Sequence, residues 1–241
     1  VDPLFDTDNV RRLSSKFGAV DVTLVSTSGA PLASLSHGKP GRFGFLPNPV
    51  DASIESGRNH ERANLPHTLF YVCGTGAMTR NILGQDQVMD SFLTELDRRL
   101  PTLNSLYGGC MGRPYLTGAA YQAALESAAI GLNISRRNDV PLYSSDRVAH
   151  MIGNGQVLAI ERATGYGTLF GEDELLFFSS HDELIGKLAA LHADDAQRRK
   201  LAANGYRRYY DLFNERRVAR YLVDAAFGRV EPADYEWPTL I

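Results

Sequence analysis

The chain is predicted to fold as a doubly wound α/β structure: a mostly parallel sheet with helices on both faces and a helical C-terminal tail. Short runs that are apolar nearly throughout recur up to about residue 180, as strands covered on both faces require. Amphipathic stretches of helical period separate them, and strand–helix alternation of this kind specifies a parallel sheet. Beyond residue 180 the strand signals cease and only helical patterns remain.

Taken in order, "VDVTLVST" (20–27) and "RFGFLP" (42–47) are the first strands. With two short helices they are too little for an independent α/β domain, and residues 1–50 read as the tail of a domain that begins elsewhere. The segment "FLPNPVDASIESGRNHERANLPH" (45–67) holds three prolines and no period, so 51–67 reads as a linker or hinge. Five strands follow: "TLFYVCG" (68–74), "LNSLYG" (103–108), "AAIGLNIS" (128–135), "QVLAIE" (156–161) and "LLFF" (175–178). The clearest helix is "DQVMDSFLTELDRRL" (86–100), with Val88, Phe92, Leu93, Leu96 and Leu100 on one stripe. "SHDELIGKLAALHA" is a helix capped at Ser180 or His181, and the helices "DAQRRKLAANGYRRYYDLF" and "NERRVARYLVDAAFG" complete the tail. Their basic residues read as a solvated face. Val218, Tyr221, Leu222 and Ala225 form a stripe that needs cover, which residues 1–50 are placed to give. The resulting boundaries are 1–50, 51–67, 68–212 and 213–241.

The 241 residues are 44% hydrophobic and 22% charged, the mix of a soluble globular protein with a sizeable core. A net charge of −3 argues against nucleic acid or an anionic membrane as partner. No apolar run has the length of a membrane span, and two cysteines, Cys73 and Cys110, make no disulfide framework. A cytoplasmic location is the expectation. The six histidines have no partners at zinc-site spacing, and no metal is expected.

Ligands of open parallel sheets bind at the carboxyl ends of strands. In "YVCGTGAMTRN" a strand runs into Gly74 and Gly76, then Arg80 and an expected helix; glycines there admit a ligand to the backbone, or simply make a tight turn. "GLNISRRND" gathers Asn133 and Arg136 at another strand end, as a ligand site or a solvated loop. In "SSDRVAHMIGNG", Ser144, Ser145 and Asp146 offer caps to a very short helix, yet Arg147 stands in its first turn, against the dipole. An anionic group bound there resolves the conflict; an ion pair with Asp146 or Glu161 is the alternative. On the first reading, removing Arg147 leaves the fold nearly intact.

The ordered set "FYVCGTGAMTRN", "TGAAYQAALESAAIGLNIS", "SSDRVAHMIGNGQVLAIERATGYGTLFGEDELLFF", "SHDELIGKL" and "LAANGYRRYYDLF" resembles the C-terminal, donor-binding half of GT-B glycosyltransferases. The likeness is to the group 1, spore-maturation-protein-like type, and it covers about 68–227. It implies a Rossmann-like GT-B fold and transfer of a sugar from a nucleotide-sugar donor, the donor being a substrate and no cofactor being needed. Residues 1–50 would end the acceptor-side domain, and 213–241 would be the crossover helix and tail. The acceptor is a saccharide, a lipid or a protein. Donor contacts then fall on Gly74, Gly76, Arg80, Asn133, Arg136, Ser144, Ser145, Arg147 and His150, with the loop 161–174 near the sugar or base. Related transferases carry a Glu where this chain has His150, and Leu142 replaces the first of a glutamate pair found in retaining relatives, so ribose recognition and stereochemistry stay open. Catalytic residues are not identified. With no Asp-x-Asp pair in the stretch that carries the likeness, 68–227, cations and helix dipoles would steady the leaving diphosphate without a metal. The alternatives are a non-catalytic GT-B-like protein that binds a nucleotide sugar or a partner, a nucleotide-sugar epimerase, and a flavodoxin-like binding domain.

Overall fold

The computed structural model describes residues 7–143 and 145–241. Its centre is a five-stranded parallel sheet built from β3 (His67–Val72), β6 (Ser105–Gly108), β7 (Ala128–Asn133), β8 (Val157–Glu161) and β9 (Leu176–Phe178). Their spatial order is β6-β3-β7-β8-β9. Every residue of β8 is buried, which is why its sequence is apolar on both faces. Helices α3 (Met89–Arg99) and α6 (His181–Ala193) cover one face through Phe92, Leu93, Leu96, Leu184 and Leu188. On the other face lie α4 (Gly118–Glu126), α5 (Arg147–Gly153) and α7 (Asp195–Phe213), with Leu125, Val148, Met151, Ile152 and Leu212 in the core. The sheet is therefore doubly wound, and the chain reverses direction of travel between β3 and β7, where a crevice must open.

The expected helix over 86–100 begins late. Residues 79–88 form an antiparallel hairpin, β4 (Thr79–Ile82) and β5 (Gln85–Val88), joined by Leu83 and Gly84. Both turn residues have positive φ, 53° and 74°, as a two-residue hairpin turn of the I′ class demands. Val88 is consequently a half-exposed strand end, while Met89, Phe92, Leu93 and Leu96 make the buried stripe. The hairpin lies across the strand ends: Asn81 N–H donates to Arg136 O at 3.0 Å, and Leu83 N–H donates to Glu161 at 3.0 Å. Burial pushes the Glu161 carboxyl above its usual range, opposed by that amide bond.

Residues 7–50 contribute α1 (Thr7–Ser14), α2 (Gly29–Ser36) and a parallel pair, β1 (Val22–Val25) with β2 (Arg42–Phe45). Helix α8 (Glu215–Ala226) buries Val218, Tyr221 and Ala225, the first two in the same core as Phe43 and Phe45. Leu222, expected on that stripe, is 42% exposed, because its position points a quarter-turn or so away from Tyr221. The last residues close over β2, where Leu240 bridges Gly44 and Ile241 N–H donates to Phe43 O at 2.7 Å.

Residues 51–66 hold no helix or strand; turns within the segment and side chains from other elements take up part of their backbone. Asn59 Nδ2 donates to Leu125 O and Ala128 O, both at 2.8 Å, and Gly57 N–H donates to Asn154 Oδ1. Arg198 of α7 donates to Asn59 O and Arg62 O, each at 2.7 Å, and pairs with Asp195. Read as part of a solvated basic face, Arg198 is in fact only 1% exposed: the unstructured segment leaves carbonyls that only a long donor can reach. Arg198→Met should therefore strand those two acceptors and destabilise the fold by about 3 kcal/mol. Arg199→Met, one residue away and half in solvent, should change stability by less than ~0.5 kcal/mol. Urea unfolding of the two variants checks the contrast.

Candidate functional site

A cleft of about 650 Å³ opens at the carboxyl ends of β3 and β7, where the strand order reverses. The floor is Val72, Cys73 and Gly74 after β3, with Ser135 and Arg136 after β7. The hairpin brings in Met78 and Arg80 from one side, and α5 brings Ser145, Asp146, Arg147 and His150 from the other. The start of α4 and the loop before it supply Tyr115, Thr117 and Tyr121.

Arg147 answers the conflict seen in the sequence. Its guanidinium donates to Val72 O at 2.5 Å and to Ile134 O at 3.1 Å, while Nε donates to Ser145 Oγ at 3.0 Å. It also sits 5.5 Å from the centre of the Tyr71 ring. Parallel strands end in carbonyls whose dipoles point outward, and a cation between two such ends is compensated there. Neither Asp146 nor Glu161 is its partner. Removing Arg147 would take a donor from both carbonyls and leave Ile134 O only the Tyr71 hydroxyl at 3.3 Å, which argues against a fold indifferent to it. Three of its five N–H groups are used by these bonds, which leaves two more on the guanidinium of a residue that borders the cleft.

Arg80 is 6% exposed, lies in the cleft wall, and its Nε has no hydrogen-bond partner. Ser135, 2% exposed in the floor, has an unpartnered Oγ. Cys73 and Cys110 are free and buried. The neighbouring Cys110 thiol and the Arg80 guanidinium lower the Cys73 thiol to about 6 against the cost of burial, while Cys110, whose thiol donates to Gly108 O at 3.6 Å, is pushed up.

The sequence-predicted residues divide. Gly74, Arg80, Arg136, Ser145, Arg147 and His150 border the cleft together. Ser144 lies outside the described residues. Gly76 is buried away from the cleft: a Cβ there would collide with the Asp90 carboxylate, which also accepts Met111 N–H at 2.8 Å. Its glycine serves that packing. Asn133 is fully buried at the end of β7 and does not border the cleft, because the last residue of a central strand points into a helix-covered face. The loop 161–174 also stays out; it folds into two 3-10 turns that bury Tyr166, and Phe170 packs in the same core. Asp146 and Ser145 make no side-chain cap to α5, since Ser145 Oγ is taken by Arg147. Tyr121, Thr117, Met78 and Ser135 were not found from sequence. Only "RPYLTGAAY", a Pro-Gly loop ending in a helix start, hinted at the first two.

Among the described residues no three His, Cys, Asp or Glu side chains are grouped to hold a metal ion, and no helix is long and apolar enough to cross a membrane.

Comparison with solved structures shows the fold of GT-B glycosyltransferases. Sucrose-phosphate synthase from Thermosynechococcus elongatus superposes with a TM-score of 0.56 at 14% identity, over 91% of this chain and 61% of that one. An alpha-glucosyltransferase in complex with UDP-glucose and DNA containing an abasic site gives 0.61 at 11% identity, over 92% and 70%. The pneumococcal O-GlcNAc transferase in complex with UDP and GlcNAc gives 0.53 at 15% identity, over 90% and 47%. The chain thus spans about half to two thirds of the length of these proteins. No protein of curated function matches it in sequence. A family model described as glycosyl transferase-like matches residues 80–224, from the hairpin arginine to the last turns of α8. That match covers more than half of the sequence, and the chain belongs to the glycosyl transferase-like family.

Proposed function

We propose that the chain is the donor-binding part of a glycosyltransferase of the group 1, spore-maturation-protein-like type, and that the cleft at the β3–β7 reversal holds the nucleoside diphosphate of a nucleotide sugar. One observation carries the reading. Three arginines, Arg80, Arg136 and Arg147, border a cleft with a single carboxylate, Asp146, and two of the buried polar atoms there, Arg80 Nε and Ser135 Oγ, have no partner. A buried donor without an acceptor is costly, and a diphosphate supplies acceptors at that place. The start of α4 at Thr117 and Gly118 faces the same space with no side-chain cap, which adds a favourable dipole. Family membership and the GT-B fold support the same conclusion.

In this reading Arg80 and the remaining N–H groups of Arg147 neutralise charge on the diphosphate as the bond to the anomeric carbon breaks, a role a metal plays elsewhere. Ser145 and Gly74 border the phosphates, Arg136 stands at the rim, and His150 with Tyr121 faces the ribose or sugar. The donor is a substrate, and no cofactor is required. The acceptor, a saccharide, a lipid or a protein, would approach from the side of residues 1–50, as the end of an acceptor-side domain. Two buried free thiols fit a cytoplasmic setting.

Calorimetric titration with UDP- and GDP-sugars tests the site. Arg80→Met should weaken donor binding by about 1.5–3 kcal/mol, the scale of a charged hydrogen bond, with no loss of melting temperature. Arg147→Ala should lose binding and several degrees of melting temperature together, and Arg147→Lys should recover only part of either. If Arg80→Met binds every donor as the parent does, the diphosphate site is wrong.

Cys73 reports on the same space. With its thiol value near 6, the thiolate is already formed at neutral pH, so alkylation by iodoacetamide should be nearly flat between about pH 7 and 9. An ordinary thiol would speed up across that interval. Nucleotide sugar should slow the reaction at Cys73, as read by mass spectrometry of the adduct. A rate that climbs through pH 8.5 would show that Cys110 and Arg80 do not stabilise the thiolate.

A further inference from the structure

Behind the α5 side of the cleft lies a short line of polar groups that the phosphate contacts do not use. Tyr121, on the cleft wall, has its hydroxyl 3.1 Å from His150 Nδ1. The other ring nitrogen, His150 Nε2, faces Glu55 Oε1 at 3.8 Å. Glu55 comes from the irregular segment 51–66, and its side chain is 6% exposed. Its second oxygen accepts Asp51 N–H at 2.8 Å, which fixes the carboxylate in place.

This line has two states, and they present opposite faces to the cleft. With one ring proton, on Nε2 toward Glu55, His150 Nδ1 is an acceptor and the Tyr121 hydroxyl must donate to it. The cleft then meets only hydroxyl lone pairs. With a second proton, Nδ1–H donates to the Tyr121 oxygen, and the hydroxyl proton is released to point into the cleft. A phosphate oxygen or a ribose oxygen acting as acceptor can be bound only by the second state.

Charged groups surround the pair: Glu55 faces His150, and Asp146 and Arg147, at the start of α5, act on Tyr121 with opposite sign. Arg58 of the segment is occupied by the Glu55 and Gly57 carbonyls. On α4, burial holds the Tyr121 hydroxyl above the ordinary phenol range, so it stays neutral and always has a proton to give. Glu126 of the same helix is turned toward Gln122, at 2.8 Å.

We infer that Glu55 and His150 set the hydrogen-bonding polarity of Tyr121, and that a nucleotide sugar enters the cleft together with one proton taken up by His150. Tyr121 is the ligand-contacting group; His150 and Glu55 are positioning residues that act through it. The inference rests on the donor-binding reading of the cleft.

UDP-glucose is the probe, because its diphosphate diester carries fixed charge from about pH 6 to 9 and brings no titration of its own. Calorimetry in buffers of different ionisation enthalpy measures the protons taken up per ligand bound. The parent chain should take up a proton on binding near pH 8, and its affinity should fall with rising pH by up to about tenfold per unit. Tyr121→Phe and His150→Gln should show no uptake and a flat profile. Glu55→Gln keeps an acceptor for Asp51 N–H and removes only the charge; its profile should move to lower pH. Nitrogen NMR of His150 in the parent complex should show both ring nitrogens protonated. Zero uptake in the parent, or uptake that all three variants retain, overturns the inference while donor binding stands. Failure of UDP-glucose to bind at any pH, with a GDP-sugar failing likewise, removes the donor reading and this inference with it.

Discussion

The cleft exists because one cation closes the ends of two strands. β3 and β7 are neighbours whose chains leave in opposite directions, so their terminal carbonyls would face an open crevice. Arg147 takes both, at Val72 and Ile134, from the first turn of the helix that follows β7. The same contact fixes where α5 begins, which way His150 points, and how far apart the two strand ends stand. An arginine that opposes its own helix dipole is tolerable because two carbonyl dipoles compensate it. In the proposed donor site, stability and ligand recognition therefore share this side chain, whereas Arg80, held in a hairpin with an unpartnered Nε, would serve the ligand.

The hairpin is the second organising element. Its tip is pinned by Glu161 at the end of β8, and its first strand is bonded to the backbone after β7 and to Asn138, which donates to Asn81 O at 2.6 Å. Asn138 in turn accepts Ser135 N–H at 2.9 Å. One excursion therefore ties the ends of β7 and β8 and carries Met78 and Arg80 over the crevice.

The central sheet was legible in the sequence for a simple reason. Strands such as "VLAIE" are buried on both faces, and short apolar runs of that kind, repeated between helical patterns, mark covered parallel strands. The hairpin was not legible. Its turn is Leu83-Gly84, and a leucine at positive φ is rare, so no turn signal marks it. Its second strand, "QDQV", is polar and merges into the following helical period. Residues that border the cleft from strand ends and from α5, such as Gly74, Arg136 and His150, could be placed there from position alone. Those whose role depends on a distant neighbour could not: Gly76 answers to Asp90, Arg198 to Asn59 and Arg62, and Glu55 to His150.

The two ends of the described chain are woven together. β2 is edged by Leu240, and Phe43 and Phe45 share a core with Tyr221 and Trp237. On the ribosome the first strands emerge some two hundred residues before the segment that covers them. Loop closure over such a span is slow compared with the local pairing of the central sheet. The central sheet can assemble during synthesis, while the β1–β2 layer must wait, its aromatic face uncovered, until the segment from Tyr221 to Leu240 has emerged. That interval is where a chaperone or a neighbouring chain would meet this protein, and it closes when Tyr221, Trp237 and Leu240 reach β2.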